Sequence, residues 1–302
     1  MKIGLIQVDG KWANLALMKI SAWHKKQGDQ VEWYRPLWLY NRVYASKIFT
    51  DTNDYLYTPS VLIKGGSGYD MPTALPDEME HCFPDYSLYP FIDYAIGFTT
   101  RGCPRQCSFC IVPQKEGKLR VVGDIGTFWC GQNKIILLDN NLTAAPMEHF
   151  KEVMEQLRKT GVRIDFSQGL DLRLLSDEHC EALKDVRLWK RLRFAWDQMK
   201  DELVIRKGLK LLKKYYHPDR ITVYVLVGFD TTMEENMYRV EVLRSFGVNP
   251  FVMRYHQKNH SLNEFARWVN MPRFFKTISW SDWCRIREPR YRKRKSSLVL
   301  LG

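Results

Sequence analysis

The sequence predicts an α/β protein: a partial (β/α)6 parallel barrel, preceded by a small α/β domain and followed by a basic C-terminal extension. Three observations carry that expectation. Between Tyr94 and His256, six short apolar runs recur about 30 residues apart, most of them separated by segments with helical apolar spacing. Before them lies a shorter alternation of strands around one clear helix, and after them the chain turns aromatic and then cationic. The corresponding boundaries are 1–85, 86–260 and 261–302.

The first domain opens on an apolar run, 2–8, that ends at Asp9-Gly10. Over 13–26, Leu15, Met18, Ala22 and Trp23 share a helical face, and Gly28 supplies a stop. Residues 31–34, 43–48 and 60–64 read as further strands, and Gly65-Gly66-Ser67-Gly68 as a flexible loop. This order resembles a small Rossmann-like domain. No G-x-G-x-x-G follows its first strand, so the nucleotide fingerprint is missing.

In the central region, strands are expected at 94–100, 134–139, 163–168, 191–196, 221–227 and 249–254. Met147, Phe150, Val153, Met154 and Leu157 have helical spacing, and 200–216 and 232–246 are long enough for crossover helices. Parallel strands need crossovers of a dozen residues or more. Right-handed crossovers curl such a sheet toward a barrel, with ligands at the C-terminal strand ends.

Composition narrows the function classes. No apolar run approaches the ~18 residues of a membrane helix, and Met1-Lys2-Ile3-Gly4-Leu5 does not begin a signal peptide. A cytoplasmic protein without membrane contact is expected. Seven cysteines, three of them within eight residues, do not form the even spacing of a secreted disulfide framework. Net charge is +12, and 261–302 holds ten Lys/Arg against three Asp/Glu. That balance points to polyanion contact.

The chemistry concentrates in Gly97-Phe98-Thr99-Thr100-Arg101-Gly102-Cys103-Pro104-Arg105-Gln106-Cys107-Ser108-Phe109-Cys110. The spacing is C-x3-C-x2-C, directly after the first strand of the central region. Three thiolates so placed can bind three irons of a 4Fe–4S cube and leave the fourth iron open. A structural zinc site wants four ligands in two pairs, and no second pair is present; Cys130 as a fourth ligand has no supporting neighbours.

With Phe109 before its last cysteine, this motif resembles that of the radical S-adenosylmethionine (radical SAM) superfamily, over about 90–256. The resemblance implies a barrel of six βα units and a cluster held by Cys103, Cys107 and Cys110. It implies that S-adenosylmethionine chelates the open iron through its amino and carboxylate groups. One electron, from a donor such as flavodoxin or ferredoxin, then cleaves it to methionine and a 5′-deoxyadenosyl radical that takes hydrogen from a substrate. Phe109 and polar residues at the strand ends become candidates for binding S-adenosylmethionine. The family often carries Gly-Gly-Glu after the second strand; here Asp139-Asn140-Asn141 departs from that wording but supplies acceptors, and helix capping is the plainer alternative. After the third strand, Arg173 could clamp the cofactor carboxylate, and Gln168 or Asp171 the ribose; a solvated loop with an internal Asp–Arg pair is the alternative. Gly228 loosely matches a glycine beside the adenine, and a Gly-Asp turn explains it nearly as well. Asp197 and His256 would face the barrel mouth.

The N-terminal domain sits where cobalamin-binding domains precede some radical enzymes, but Asp-x-His-x-x-Gly is absent after the first strand. Cobalamin would have to bind without a protein histidine. Methylthiotransferases share the layout and carry a second three-cysteine cluster in that domain, whereas 1–85 holds only Cys82. Trp268, Phe274, Phe275, Trp280 and Trp283 are expected to pack, while the cations over 285–295 suit nucleic acid. The leading expectation is a radical SAM enzyme acting on nucleic acid or a nucleotide-like anion. The alternatives are a peptide or small-metabolite substrate, and a non-catalytic metal-bearing nucleic-acid-binding module.

Overall fold

Among the described residues, β-branched and aliphatic runs pair as parallel strands, with one short antiparallel pair beside them. A computed structural model describes residues 1–54, 59–256 and 259–287, and these divide between two compact units, Met1–Gln168 and Gly169–Gly302. No helix among the described residues is long and apolar enough to cross a membrane.

The first unit begins with β1 (Lys2–Gln7), α1 (Leu15–Lys26), β2 (Gln30–Trp33), β3 (Arg42–Ser46) and β4 (Leu62–Gly65). These strands form a parallel sheet in the order β2-β1-β3-β4, with Leu5 opposite both Trp33 and Tyr44. Helix α1 starts where the Asn14 side chain accepts from the Leu17 amide, and it buries Leu17 and Met18. In this order the chain leaves β1 to one side and returns on the other, so the C-terminal ends of β1 and β3 flank a topological switch, the usual ligand crevice. Here the chain itself occupies it. The Asp9 carboxylate accepts from the Ile48 and Phe49 amides, each at 2.8 Å. The Gln7 amide group donates to the carbonyls of Asp9, Gly10 and Trp12.

Helix α2 (Asp77–Glu80) leads to β5 (Tyr94–Gly97). A short antiparallel pair follows, β6 (Thr100–Arg101) with β7 (Arg120–Val121), enclosing α3 (Val112–Lys115). Then come β8 (Lys134–Leu137), α4 (Met147–Thr160) and β9 (Arg163–Phe166), giving a parallel sheet β5-β8-β9. Helix α4 buries Phe150, Val153, Met154 and Leu157 and stops at Gly161, which adopts φ +65°.

The second unit runs α5 (Asp177–Leu183), β10 (Leu192–Ala195), α6 (Glu202–Tyr215), β11 (Ile221–Val227), α7 (Met233–Ser245), β12 (Asn249–Arg254), α8 (His260–Val269) and α9 (Pro272–Thr277). Its sheet is parallel, in the order β10-β11-β12. All six strands expected between Tyr94 and His256 are present, as two parallel triplets. A capping box starts α7: the Thr232 hydroxyl accepts from the Glu235 amide, and the Glu235 carboxylate accepts from the Thr232 amide.

The C-terminal aromatics pack among themselves. Phe265, Trp268, Phe275 and Trp283 are buried, with Trp268 to Phe275 centroids 5.0 Å apart and Phe265 to Trp280 5.6 Å. Of the cations over 285–295, Arg287 forms a bidentate pair with Glu264 and Arg285 pairs with Asp282. The run from Arg290 to Lys295 lies outside the described residues.

Candidate functional site

The cysteine loop grows out of the C-terminal end of β5. At Gly97 a side chain would collide with the Phe128 ring, which closes over the strand end. Thr99 and Thr100 follow, both fully buried, and then Arg101. The Arg101 guanidinium lies over the Phe98 ring and pairs with Glu80 at 3.0 Å and Glu116 at 3.2 Å. This ties the loop to α2 before it and to the turn after α3. Gly102 adopts φ +83°, and a Cβ there would stand 2.3 Å from the Lys118 carbonyl oxygen. Only glycine allows that approach. The Cys103 amide then donates to the Gly117 carbonyl at 3.2 Å, closing the loop at its neck.

Inside the loop the Cys110 amide donates to the Cys107 carbonyl at 3.0 Å, so these two cysteines and Phe109 share one turn. Cys103, Cys107, Cys110 and Phe109 are all half-buried, and no disulfide joins any of the seven cysteines. Among the described residues, no three His, Cys, Asp or Glu side chains converge on a point suited to one metal ion. A 4Fe–4S cube takes each thiolate on a different iron, so its three sulfurs surround the cube rather than meet at one ion. Three soft sulfur donors on one loop fit that group.

The loop after β8 meets the cysteine loop side chain by side chain. Asp139 is buried, and its carboxylate accepts four hydrogen bonds from Thr99 and Thr100. Oδ2 takes the Thr99 amide at 2.9 Å, while Oδ1 takes the Thr99 hydroxyl at 2.6 Å and the Thr100 amide and hydroxyl, both at 2.7 Å. Burial pushes the pKa of this carboxyl up, against hydrogen bonds that favour the charged form. Asn140 Oδ1 accepts from the Gly102 amide at 2.8 Å. Asn141 Nδ2 donates to the Cys103 sulfur at 3.4 Å.

The other expected cofactor residues lie in different settings. Gln168 is exposed and ends the first unit. In the second unit, Arg173 is held by carboxylates of its own unit: Nε and one terminal nitrogen donate to Asp171 at 2.7 and 3.1 Å, and the other to Asp201 at 2.9 Å. Burial works against that charge, but the two carboxylates hold Arg173 more firmly protonated than a free arginine. This is the internal Asp–Arg pair. Gly228 has φ +79°, and the space a Cβ would take is filled by Leu262, 2.5 Å away. Asp197, just past β10, accepts from the Leu226 amide at 3.1 Å, and burial raises its pKa. His256 is exposed just past β12, its ring against Tyr255.

Two features escape sequence reading. The Thr99-Thr100 pair is the counterpart of Asp139, and its only signal is two hydroxyl residues immediately before Arg-Gly-Cys. Arg239, on α7, is completely buried. It donates to the carbonyls of Trp196, Asp197 and Leu226 and so ties the ends of β10 and β11 together. Burial pulls its pKa down to about 10. Nothing in the sequence separates it from the solvated arginines of other helices.

Fold and site define a class: an α/β protein with three closely spaced thiols at the C-terminal end of a parallel strand. No protein-family model matches the chain. Over 109 residues it is 29% identical to the ribosomal protein uS12 methylthiotransferase RimO of Ectopseudomonas mendocina, and equally to that of Pseudomonas aeruginosa strain UCBPP-PA14. RimO of Pseudomonas fluorescens strain Pf0-1 is 30% identical over 111 residues. Each match takes in 34% of this chain and 22% of the relative, so the similarity spans about a fifth of these curated proteins.

Proposed function

We propose that this protein is a radical SAM enzyme in which Cys103, Cys107 and Cys110 hold a 4Fe–4S cluster. One observation carries the reading: the C-x3-C-x2-C loop leaves the C-terminal end of the first strand of a parallel sheet, which is where barrel enzymes place their chemistry. Similarity to methylthiotransferases, whose layout the sequence resembles, supports it. When bound, the cluster with its open iron supplies the electron that cleaves S-adenosylmethionine to methionine and a hydrogen-abstracting radical. The protein's part is to hold three thiolates in place, shield the reacting centre from water and position a substrate. Asn140, Asn141 and Phe109 are the polar and aromatic groups on the same two loops, and six parallel strands are the number that such a partial barrel takes.

Nucleic acid is the substrate class that the charge supports, with +12 overall and a cationic run at 290–295. A protein substrate is the second reading, since the relatives are named for modifying a ribosomal protein. The test is anaerobic: iron and sulfide content, electron paramagnetic resonance after reduction, and 5′-deoxyadenosine release with total RNA or with ribosomal proteins. A colourless protein with stoichiometric zinc would overturn the cluster. RNA affinity titrated against salt, for the full chain and a chain ending at 289, decides the substrate class. Phosphate contacts by the removed cations should flatten the slope by about 0.7 each on a single strand. Equal slopes would remove the main support for nucleic acid.

A further inference from the structure

We propose that Asp139, Asn140 and Asn141 form a clamp that preorders the entry of the cysteine loop, and that Asn141 tunes the electron affinity of the cluster held there. The proposal rests on the three cysteines being cluster ligands and assigns roles to the residues around them. Three consecutive side chains meet three successive points of one segment: Asp139 meets Thr99 and Thr100, Asn140 meets the Gly102 amide, and Asn141 meets the Cys103 sulfur. The ladder spans about 40 residues of sequence separation and ends on a ligand atom.

Two physical consequences follow. A loop that must present three thiolates to three irons loses conformational freedom on binding, and a loop already fixed at its entry loses less. The threonines are fully buried and Asp139 nearly so, which makes these hydrogen bonds costly to break. The second consequence concerns charge. An N–H donor on a ligating sulfur stabilises the more negative, reduced cluster and raises its potential. Asn141 is thus a positioning residue that acts through Cys103.

Hydrogen exchange in the cluster-free protein tests the clamp without reference to any metal. Thr99→Val/Thr100→Val removes both hydroxyl donors at similar volume, while Thr99→Ser/Thr100→Ser keeps them. Exchange over 99–103 should quicken about tenfold in the valine pair, as expected for a lost buried hydrogen bond, and stay near wild type in the serine pair. Cluster uptake during anaerobic reconstitution should slow in parallel. Should the valine pair fail to fold, Asn140→Ala, which removes only the acceptor for Gly102, carries the same measurement. Unchanged exchange and uptake would overturn the clamp. Asn141→Leu should retain the cluster with a lower midpoint potential and an altered paramagnetic spectrum; an unchanged midpoint would overturn the tuning role. A wild-type protein that takes up no 4Fe–4S cluster would instead defeat the enzyme reading, and the exchange data would still decide the clamp.

Discussion

The loops after β8 and β9 both bring polar side chains, an aspartate in each, to the exit of a parallel strand, yet they engage opposite partners. Asp139 reaches Thr99 and Thr100, about 40 residues away, and organises the segment that leads into the cysteines. Asp171 and Arg173, two residues apart, turn on each other and recruit Asp201 from the same unit. The first loop has a buried pair of donors waiting for a carboxylate; the second carries its own counter-ion. A polar strand exit therefore marks where a site could be, and the partner across the fold decides whether it serves the site or itself.

The largest effect that could break this comparison lies in the cysteines. Alanine at Cys103, Cys107 or Cys110 should each abolish cluster binding, measured as iron and sulfide per chain, while Cys82, Cys180 and Cys284 should be dispensable. Retention of a full cluster in any of the three loop variants would remove that residue from the ligand set.

Arg173→Ala sharpens the contrast directly. A clamp on the cofactor carboxylate would lose roughly 30- to 150-fold in S-adenosylmethionine affinity on its removal. The observed geometry predicts a change below about threefold in affinity, together with a loss of about 1–3 kcal/mol in urea unfolding as the hydrogen-bonded pairing with Asp171 and Asp201 is lost. A large affinity loss with unchanged stability would reverse the assignment.

Thiol labelling gives a smaller readout. Burial pushes the Cys180 thiol up to about 12 and leaves it with no exposed surface. It should resist alkylation in the native protein, whereas the exposed Cys130 should react readily, as peptide mass mapping would show. Rapid native labelling of Cys180 would contradict its placement on the inner face of α5.

The smallest expected effect is on acid stability. Burial alone would raise Asp85, but hydrogen bonds from Lys25, Ser21 and Ser87 outweigh it and lower its pKa. Its contribution is therefore present above the unfolded carboxylate value of about 3.9 and fades as pH falls through the lower folded value. Asp85→Asn should flatten the pH dependence of stability below about pH 4, by no more than about 1 kcal/mol. An unaltered acid limb would show that Lys25 does not hold this carboxylate in solution.

What the sequence discloses follows from how local each cause is. The strand Ile221–Val227 and helix α4 are legible because apolar period alone specifies them, as it does the six central strands within a few residues. The C-x3-C-x2-C spacing is legible because the chemistry is written in eight residues. The β6–β7 pair is not, since two-residue strands leave no periodic trace and exist because Gly102 permits a close backbone approach. The roles of Thr99 and Arg239 are equally hidden, because each depends on groups that only the tertiary fold brings near. Gly228 illustrates a subtler limit: a glycine by itself does not say what stands beside it, and here that neighbour is Leu262, 2.5 Å from where a Cβ would lie.

Asp9 has a consequence for what the first sheet can become. Its carboxylate sits on two backbone amides just past β3, beside the topological switch of this sheet. An incoming anion would have to evict a tethered competitor whose local concentration never falls. Asp9 thus keeps two backbone donors satisfied at that switch, and Asp9→Ala would take this acceptor away from both.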